Sequence, residues 1–250
     1  FINTPVTGAT AIRAEGNISI SNTSPTGGGT GTLMIDGTGA QLFSGASPAG
    51  QGPMPYITIQ KASGVLTLSG TLSESRNWTY SSGTVDATTN SSTVVFGGND
   101  LSVTSAGMNF YDVQFAANTS TLSNGLSVNH NLTISGTAIL AAGSNTINLA
   151  GNWTDRGTAG FTEAASTVNL NGSSLQSISS PGGENFSNLI INNSGSGIQL
   201  MNNNGILSYT AGNVYGAGSF TRWFNATAIP DESEAGLFPM GTVTDQRAFS

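Results

Sequence analysis

One short phrase recurs along this chain, and its spacing limits what the chain can fold into. Thr32–Phe43 reads TLMIDGTGAQLF and Thr167–Ile178 reads TVNLNGSSLQSI; Thr32, Gly37 and Gln41 match Thr167, Gly172 and Gln176 at an offset of 135 without a gap. A third copy, TVVFGGNDLSV, starts at Thr93, with Val94, Phe96 and Leu101 standing for Val168, Leu170 and Leu175 at an offset of 74. The text after each copy recurs too, as an aromatic followed by a strand pattern at Tyr56–Ile59, Phe110–Phe115 and Phe186–Ile191. Asn77-Trp78-Thr79 returns as Asn152-Trp153-Thr154, an offset of 75. The chain therefore reads as about three imperfect copies of one unit of roughly 60–75 residues. A unit of short strands cannot bury its apolar face alone, so copies must stack into a quasi-one-dimensional object.

Within the copies the apolar residues alternate. Val168 and Leu170, and Ile198 and Leu200, each flank one polar residue, and Leu189 and Ile191 keep the same spacing around Ile190, the period of a strand with one buried face. Asn171-Gly172, Pro181-Gly182-Gly183 and Gly195-Ser196-Gly197 supply turn chemistry between them. Strand patterns recur every 8 to 10 residues or so, and three of them make a coil of roughly 25 residues. Such spacing also fits a β-sandwich. The lack of a tight Asn-Gly hairpin at every connection favours an all-β, elongated parallel β-helix, that is, a β-solenoid. Its predicted core holds Leu33, Ile35, Ile57, Ile59, Val94, Phe96, Val113, Phe115, Val168, Leu170, Leu189 and Ile191.

The expected organisation is an opening segment over 1–30, solenoid repeats over 31–219 (31–80, 81–155 and 156–219), and a following β-rich module or capping segment beginning at 220–250. Ser44–Pro55, rich in Gly and Pro, reads as a projecting loop. No amphipathic helix is visible.

Composition narrows the chemistry. Hydrophobic residues are 37% and charged residues only 8%, which suits a thin structure with half its strand residues facing water. The net charge of −7, with no basic cluster, opposes phosphate binding, so nucleic acid is not an expected partner. No apolar run approaches the roughly 18 residues needed to span a bilayer, so membrane insertion is not expected. With no Cys and one His, His130, the chain lacks the parts of a Cys–His nucleophile or an ordinary zinc site. No G-x-S-x-G elbow is present, and Phe1 reads as the start of a processed chain or a fragment.

The remaining polar residues read as structural. His130 is expected in an exposed turn. Asp36 and Asp100 follow strands in two copies, but the third copy has Asn171 there. Asp155 beside Arg156 reads as a surface ion pair of small value. Asp231, Glu232 and Glu234 read as a solvated loop without a calcium repeat. Trp78 and Trp153 are of a type that stacks on sugars, yet their recurrence favours a repeated structural role. Phe110 and Phe186 are expected as stacked corner fillers. The Asn runs at Asn192-Asn193 and Asn202-Asn203-Asn204 suit turns and stacked side-chain ladders. No residue is assigned to catalysis, a cofactor or a metal.

The phrase STVNLNGSSLQSISS…ENFSNLIINNSGSGIQL resembles the repeated units of very large secreted surface proteins of Bacteroidetes. Gly218–Trp223 and Leu237–Thr242 are similar to a segment that follows those units. The resemblance implies a β-solenoid stalk, export by the type IX route, and roles in adhesion, gliding or contact with other cells. It carries no catalytic residues. The expected function is a structural and adhesive segment of a long extracellular fibre or cell-surface adhesin, not an enzyme. The expected partners are further copies of the chain, as a homo-oligomer or filament, and cell-surface glycans or other cells. Two alternatives stand: a carbohydrate-binding or polysaccharide-degrading β-helix, favoured by a groove that joins Trp78 or Trp153 to two or more carboxylates, and a phage-type fibre.

Overall fold

The computed structural model describes residues 11–26, 28–46, 51–157, 159–195 and 197–200, with side chains described as far as Ile198. It also gives the strand backbones of Leu207–Tyr209, Val214–Tyr215, Phe220–Phe224 and Val243–Arg247. Among the described residues there is no helix, and every strand pairing is parallel. The chain is a β-solenoid.

Alternation of apolar and polar residues gives each strand an inner and an outer row, and stacking aligns these rows in register. The strands fall into three stacks. The first runs through Ala11–Ala14, Thr32–Ile35, the start of the long strand Tyr56–Glu74, the start of Trp78–Asp86, Leu101–Thr104, Thr119–Leu122, Ile139–Ala141 and Gly160–Thr162. The second is clearest at Leu126–Val128, Thr146–Leu149, Thr167–Leu170 and Asn188–Ile191. The third runs from Thr71–Glu74 through Thr93–Phe96, Asp112–Phe115, Leu132–Ile134, Trp153–Asp155 and Gln176–Ser179 to Ile198–Leu200. The backbones of Phe220–Phe224 and Val243–Arg247 continue this third stack in parallel register. The segment before Thr30 contributes a coil of its own, because Ile18–Ile20 pairs with Gln41–Ala46.

One coil takes 19 residues from Val113 to Leu132, 21 from Leu132 to Trp153 and 25 from Trp153 to Ile178. The repeat of the sequence is not a whole number of these coils. Thr32 pairs with Ala11 and Tyr56 in the first stack, Thr93 with Thr71 and Asp112 in the third, and Thr167 with Thr146 and Asn188 in the second. The three copies thus lie on three different sides. All three sides ask the same thing of a strand, alternate residues inward, so a copied strand serves on any of them.

All twelve predicted core residues are buried, none more than 1% exposed. Trp78 and Trp153 lie inside as well. Trp78 packs on Phe110 (5.8 Å between ring centroids) and Phe96 (6.4 Å), and Trp153 on Phe161 (4.9 Å) and Phe186 (5.2 Å). These rings fill the interior, which excludes them as sugar platforms in this conformation.

Side-chain oxygens of Asp and Asn tie coil to coil outside the core. The Asn131 N–H donates to Asp112 Oδ1 (2.9 Å), the Asn152 N–H to Asn131 Oδ1 (2.9 Å) and the Ser177 N–H to Asn152 Oδ1 (2.7 Å). A second ladder links side chains alone, Asn169 Nδ2 to Asn148 Oδ1 (2.8 Å) and Asn192 Nδ2 to Asn169 Oδ1 (3.1 Å). Each rung repeats because its strand repeats.

Where it is described, Ser44–Pro55 departs from the projecting loop expected of it. Ser44 and Gly45 continue a strand, and Met54 is buried and bridged to Glu74. Gly52, at φ 59°, and Pro53 lead the chain into this bridge.

Candidate functional site

Most buried positions of a solenoid are apolar, so buried charge marks the places to inspect. Among the described residues seven polar side chains larger than serine are buried: Gln41, Lys61, Glu74, Asp155, Gln176, Glu184 and Asn193.

Asp155 ends the strand Trp153–Asp155 in the third stack, at an inward position in register with Ile134. It is 6% exposed and, among the described residues, forms no ion pair, which corrects the surface ion pair expected with Arg156. Its carboxylate instead organises the next turn. The Gly157 N–H donates to Oδ1 (2.8 Å) and the Phe161 N–H to Oδ2 (3.1 Å). Gly160 closes this turn at φ +62°, and a Cβ there would lie 2.4 Å from Asp155 Oδ2. The turn is wrapped so tightly that only glycine fits.

Glu184 begins the strand Glu184–Phe186 and is also 6% exposed. Its Oε2 accepts the indole N–H of Trp153 at 2.7 Å, and its Oε1 accepts the Asn185 N–H at 3.2 Å. Asp155 and Glu184 lie close enough to influence each other's protonation. Burial raises Asp155, against the backbone N–H groups of Gly157 and Phe161. Burial pushes Glu184 up to about 8; the Trp153 N–H opposes this and the Asp155 charge adds to it. Glu184 therefore keeps its proton at neutral pH, while two backbone N–H donors oppose the rise at Asp155.

Both carboxyls border an open groove of about 670 Å³, walled by Arg156, Gly157 and Ala159–Phe161 on one side and by Ser180–Asn185 on the other. In chemical terms it offers two carboxyls, of which Glu184 is protonated at neutral pH, and the Arg156 side chain. Sequence reading missed this pair because Glu184 lies 31 residues from Trp153. One signal was present. Aligning Phe186 with Phe110 sets Glu184 against Met108, a buried apolar residue, so a carboxyl stands where the sister copy has core.

Glu74 is a second buried acid, in register with Phe96 and 2% exposed. Its Oε1 accepts the Arg76 N–H at 2.8 Å, while Oε2 has no partner. Burial raises it well above the ordinary range, against the Arg76 and Ser75 N–H groups and the Arg76 charge. A smaller cavity of about 270 Å³ lies alongside, bordered by Arg76, Gly98 and Asn99. Lys61 is buried at another corner. It donates to the carbonyls of Gly37 and Gly39 and, at 2.5 Å, to Gln41 Oε1. Burial lowers it, partly offset by the Asp36 charge.

The other residues singled out in the sequence do not gather into a site. His130 sits in an exposed turn, stacked on Tyr111 at 4.6 Å with Nδ1 2.8 Å from Asp112 Oδ1. Asp36 pairs with Arg13, and Asp100 stands exposed in a turn at φ 47°. Asp231, Glu232, Glu234 and Asn202–Asn204 lie outside the described residues. Among the described residues no three His, Cys, Asp or Glu side chains group as metal ligands, and no helix is long and apolar enough to cross a membrane.

Comparisons of the chain with protein-family models, with curated proteins and with solved structures found no match.

Proposed function

We propose that the chain is a structural and adhesive segment of a long extracellular fibre or cell-surface protein, acting through its length rather than through catalysis. The observation that carries this reading is the unbroken third stack, in which parallel register runs from Thr71–Glu74 to Val243–Arg247. Pull along such an axis is borne by many backbone ladders at once. Coils can be added without redesign, because each buries its neighbour's inner row. The resemblance to secreted surface repeats agrees with a stalk exported to the cell exterior. Electron microscopy of the native material, with length and subunit symmetry recorded, tests the reading. Thin rods or fibres, of one chain or several, support it; compact isolated particles overturn it.

A second reading, contact with carbohydrate, is favoured by the groove beside Asp155 and Glu184. The groove presents two carboxyls without a stacking ring, because Trp153 lies behind them in the core. A glycan-binding screen with release of reducing ends followed in parallel separates binding from cleavage: saturable binding without cleavage fits, and no binding to any glycan removes this reading.

A further inference from the structure

Lys61 is the only lysine of the chain, and it is buried, 2% exposed. It lies where the long strand Tyr56–Glu74 bulges, and the next coil closes over its stem: a Cβ at Gly83 would lie 2.7 Å from Lys61 Cβ. The side chain reaches back one coil. Its Nζ enters the corner from Gly37 to Gln41 and meets the carbonyls of Gly37 and Gly39 and, at 2.5 Å, Gln41 Oε1. Gln41 is itself buried, and its Nε2 is fixed on the carbonyls of Ala14 (2.9 Å) and Gly16 (2.6 Å). An amide C=O bond is about 1.2 Å long, so the contact at Oε1 sets Nζ about 2.8–3.7 Å from Gln41 Cδ. That brackets the separation of about 3–3.5 Å at which reacting atoms are poised to combine.

We propose that Lys61 and Gln41 join covalently, as an Nε-(γ-glutamyl)lysine cross-link that ties one coil to the next. The inference goes beyond the fibre reading and does not depend on it. The lone pair of the neutral Lys61 amine adds to Gln41 Cδ, so that the Nζ–Cδ bond forms and the carbonyl electrons move to Oε1. Their return breaks the Cδ–Nε2 bond. Nε2 takes one of the two Nζ protons and leaves as ammonia. Nothing is oxidised or reduced, and no further reactant enters. Burial lowers Lys61 and so brings the nucleophilic, neutral amine within reach, with the Asp36 charge acting against it. The Ala14 and Gly16 carbonyls, which accept from Nε2, stabilise the positive charge that nitrogen gains with its proton. With both side chains buried, water competes little for Cδ.

The sister corner shows what lysine adds. Gln176 holds the matching place, with Nε2 on the carbonyls of Leu149 and Gly151, but its Oε1 takes Asn193 Nδ2 at 2.9 Å. A neutral amide donor therefore suffices to hold such a corner. An amide nitrogen is not a nucleophile, so Gln176 keeps its ammonia; Lys61 supplies the donor and a reactive amine together.

Mass spectrometry of the whole chain tests this, after the folded protein has stood at mildly alkaline pH, which favours the neutral amine. The denatured chain should weigh less than its sequence by one ammonia, about 17 Da. A cyclised asparagine would lose the same mass, so fragmentation of a digest must place the loss. The expected product is a branched peptide in which Lys61 Nζ carries the Gln41 side chain. Lys61→Arg keeps a cation at the corner without the attacking amine and should retain the full mass. The branched peptide of the wild type decides the matter even where that variant does not fold. A wild-type chain of full mass overturns the cross-link. So does a loss that maps to any other residue, or one that persists in Lys61→Arg.

Discussion

Gly172 donates its backbone N–H to Oε1 of Gln176 at 2.8 Å, and the glutamine folds beneath it. Gln176 Nε2 then donates to the carbonyls of Leu149 (2.9 Å) and Gly151 (2.6 Å) in the preceding coil, while Oε1 also accepts Asn193 Nδ2 (2.9 Å) from the following one. One amide thus joins three coils. Gln41 repeats the arrangement, giving Nε2 to Ala14 (2.9 Å) and Gly16 (2.6 Å) and taking Lys61 Nζ at Oε1. The recurring Gly-x-x-x-Gln of the sequence is this device.

It follows that Gly172 is required for space. A Cβ there would sit 2.2 Å from the Ala150 carbonyl and 2.9 Å from Gln176 Cδ; at Gly37 the same atoms, Glu15 O and Gln41 Cδ, lie at 2.4 and 2.8 Å. Gly172→Ala and Gly37→Ala should each cost about 1–3 kcal/mol, the range for forcing atoms into a packed site. Gly182→Ala, where nothing lies within 4 Å, should be close to neutral. Urea midpoints of the three variants check this; equal effects at all three positions would refute the steric account.

The two tryptophans fill matching places but differ at the indole nitrogen. Trp153 Nε1 has Glu184, whereas Trp78 Nε1 is buried without a partner. Phenylalanine removes similar volume at both sites. Trp78→Phe also removes an unsatisfied donor, while Trp153→Phe takes a donor away from a buried carboxyl. Trp153→Phe should therefore be the more damaging, by about 1–3 kcal/mol, read as the difference in unfolding free energy.

The buried lysine is a third case. Lys61 Nζ supplies donors to Gly37 O, Gly39 O and Gln41 Oε1, all in the preceding coil. Lys61→Met keeps the stem but strands these acceptors, at a cost of about 1–3 kcal/mol. A double-mutant cycle with Gln41→Ala should show clear coupling, because the two side chains share one contact. Additive effects would mean that the bond contributes nothing.

Much of this architecture was legible in the residues. Alternation at Val168/Leu170 and Leu189/Ile191 specified which atoms face inward, and burial does not depend on which side of the solenoid a strand occupies. That indifference also hid the phase. Thr32, Thr93 and Thr167 look equivalent in sequence and lie on three different sides, since a coil varies from 19 to 25 residues with the lengths of its turns. The site was less legible. Asp155 next to Arg156 suggests a surface pair only if the strand is ignored; in register with Ile134 it has to point inward. Glu184 shows its role only through the Trp153 indole, a contact between coils that no local pattern encodes.

Glu74 gives the last prediction a sign. Unfolded, it has the ordinary value of 4.5; folded, burial holds it well above that. Between the two the folded chain keeps a proton that the unfolded chain has lost. The contribution is fully present below 4.5 and disappears as pH rises through the folded value. Glu74→Gln retains a neutral, hydrogen-bonding side chain that cannot ionise. The variant and the wild type should match in stability near pH 4, after which the variant should gain up to about 1.4 kcal/mol per pH unit until the folded pKa is reached. Urea unfolding near pH 4, 6 and 8 measures that gap, on the order of one unit at a time. A gap that stays constant with pH would show that Glu74 is ionised in the folded chain, with Arg76 outweighing its burial.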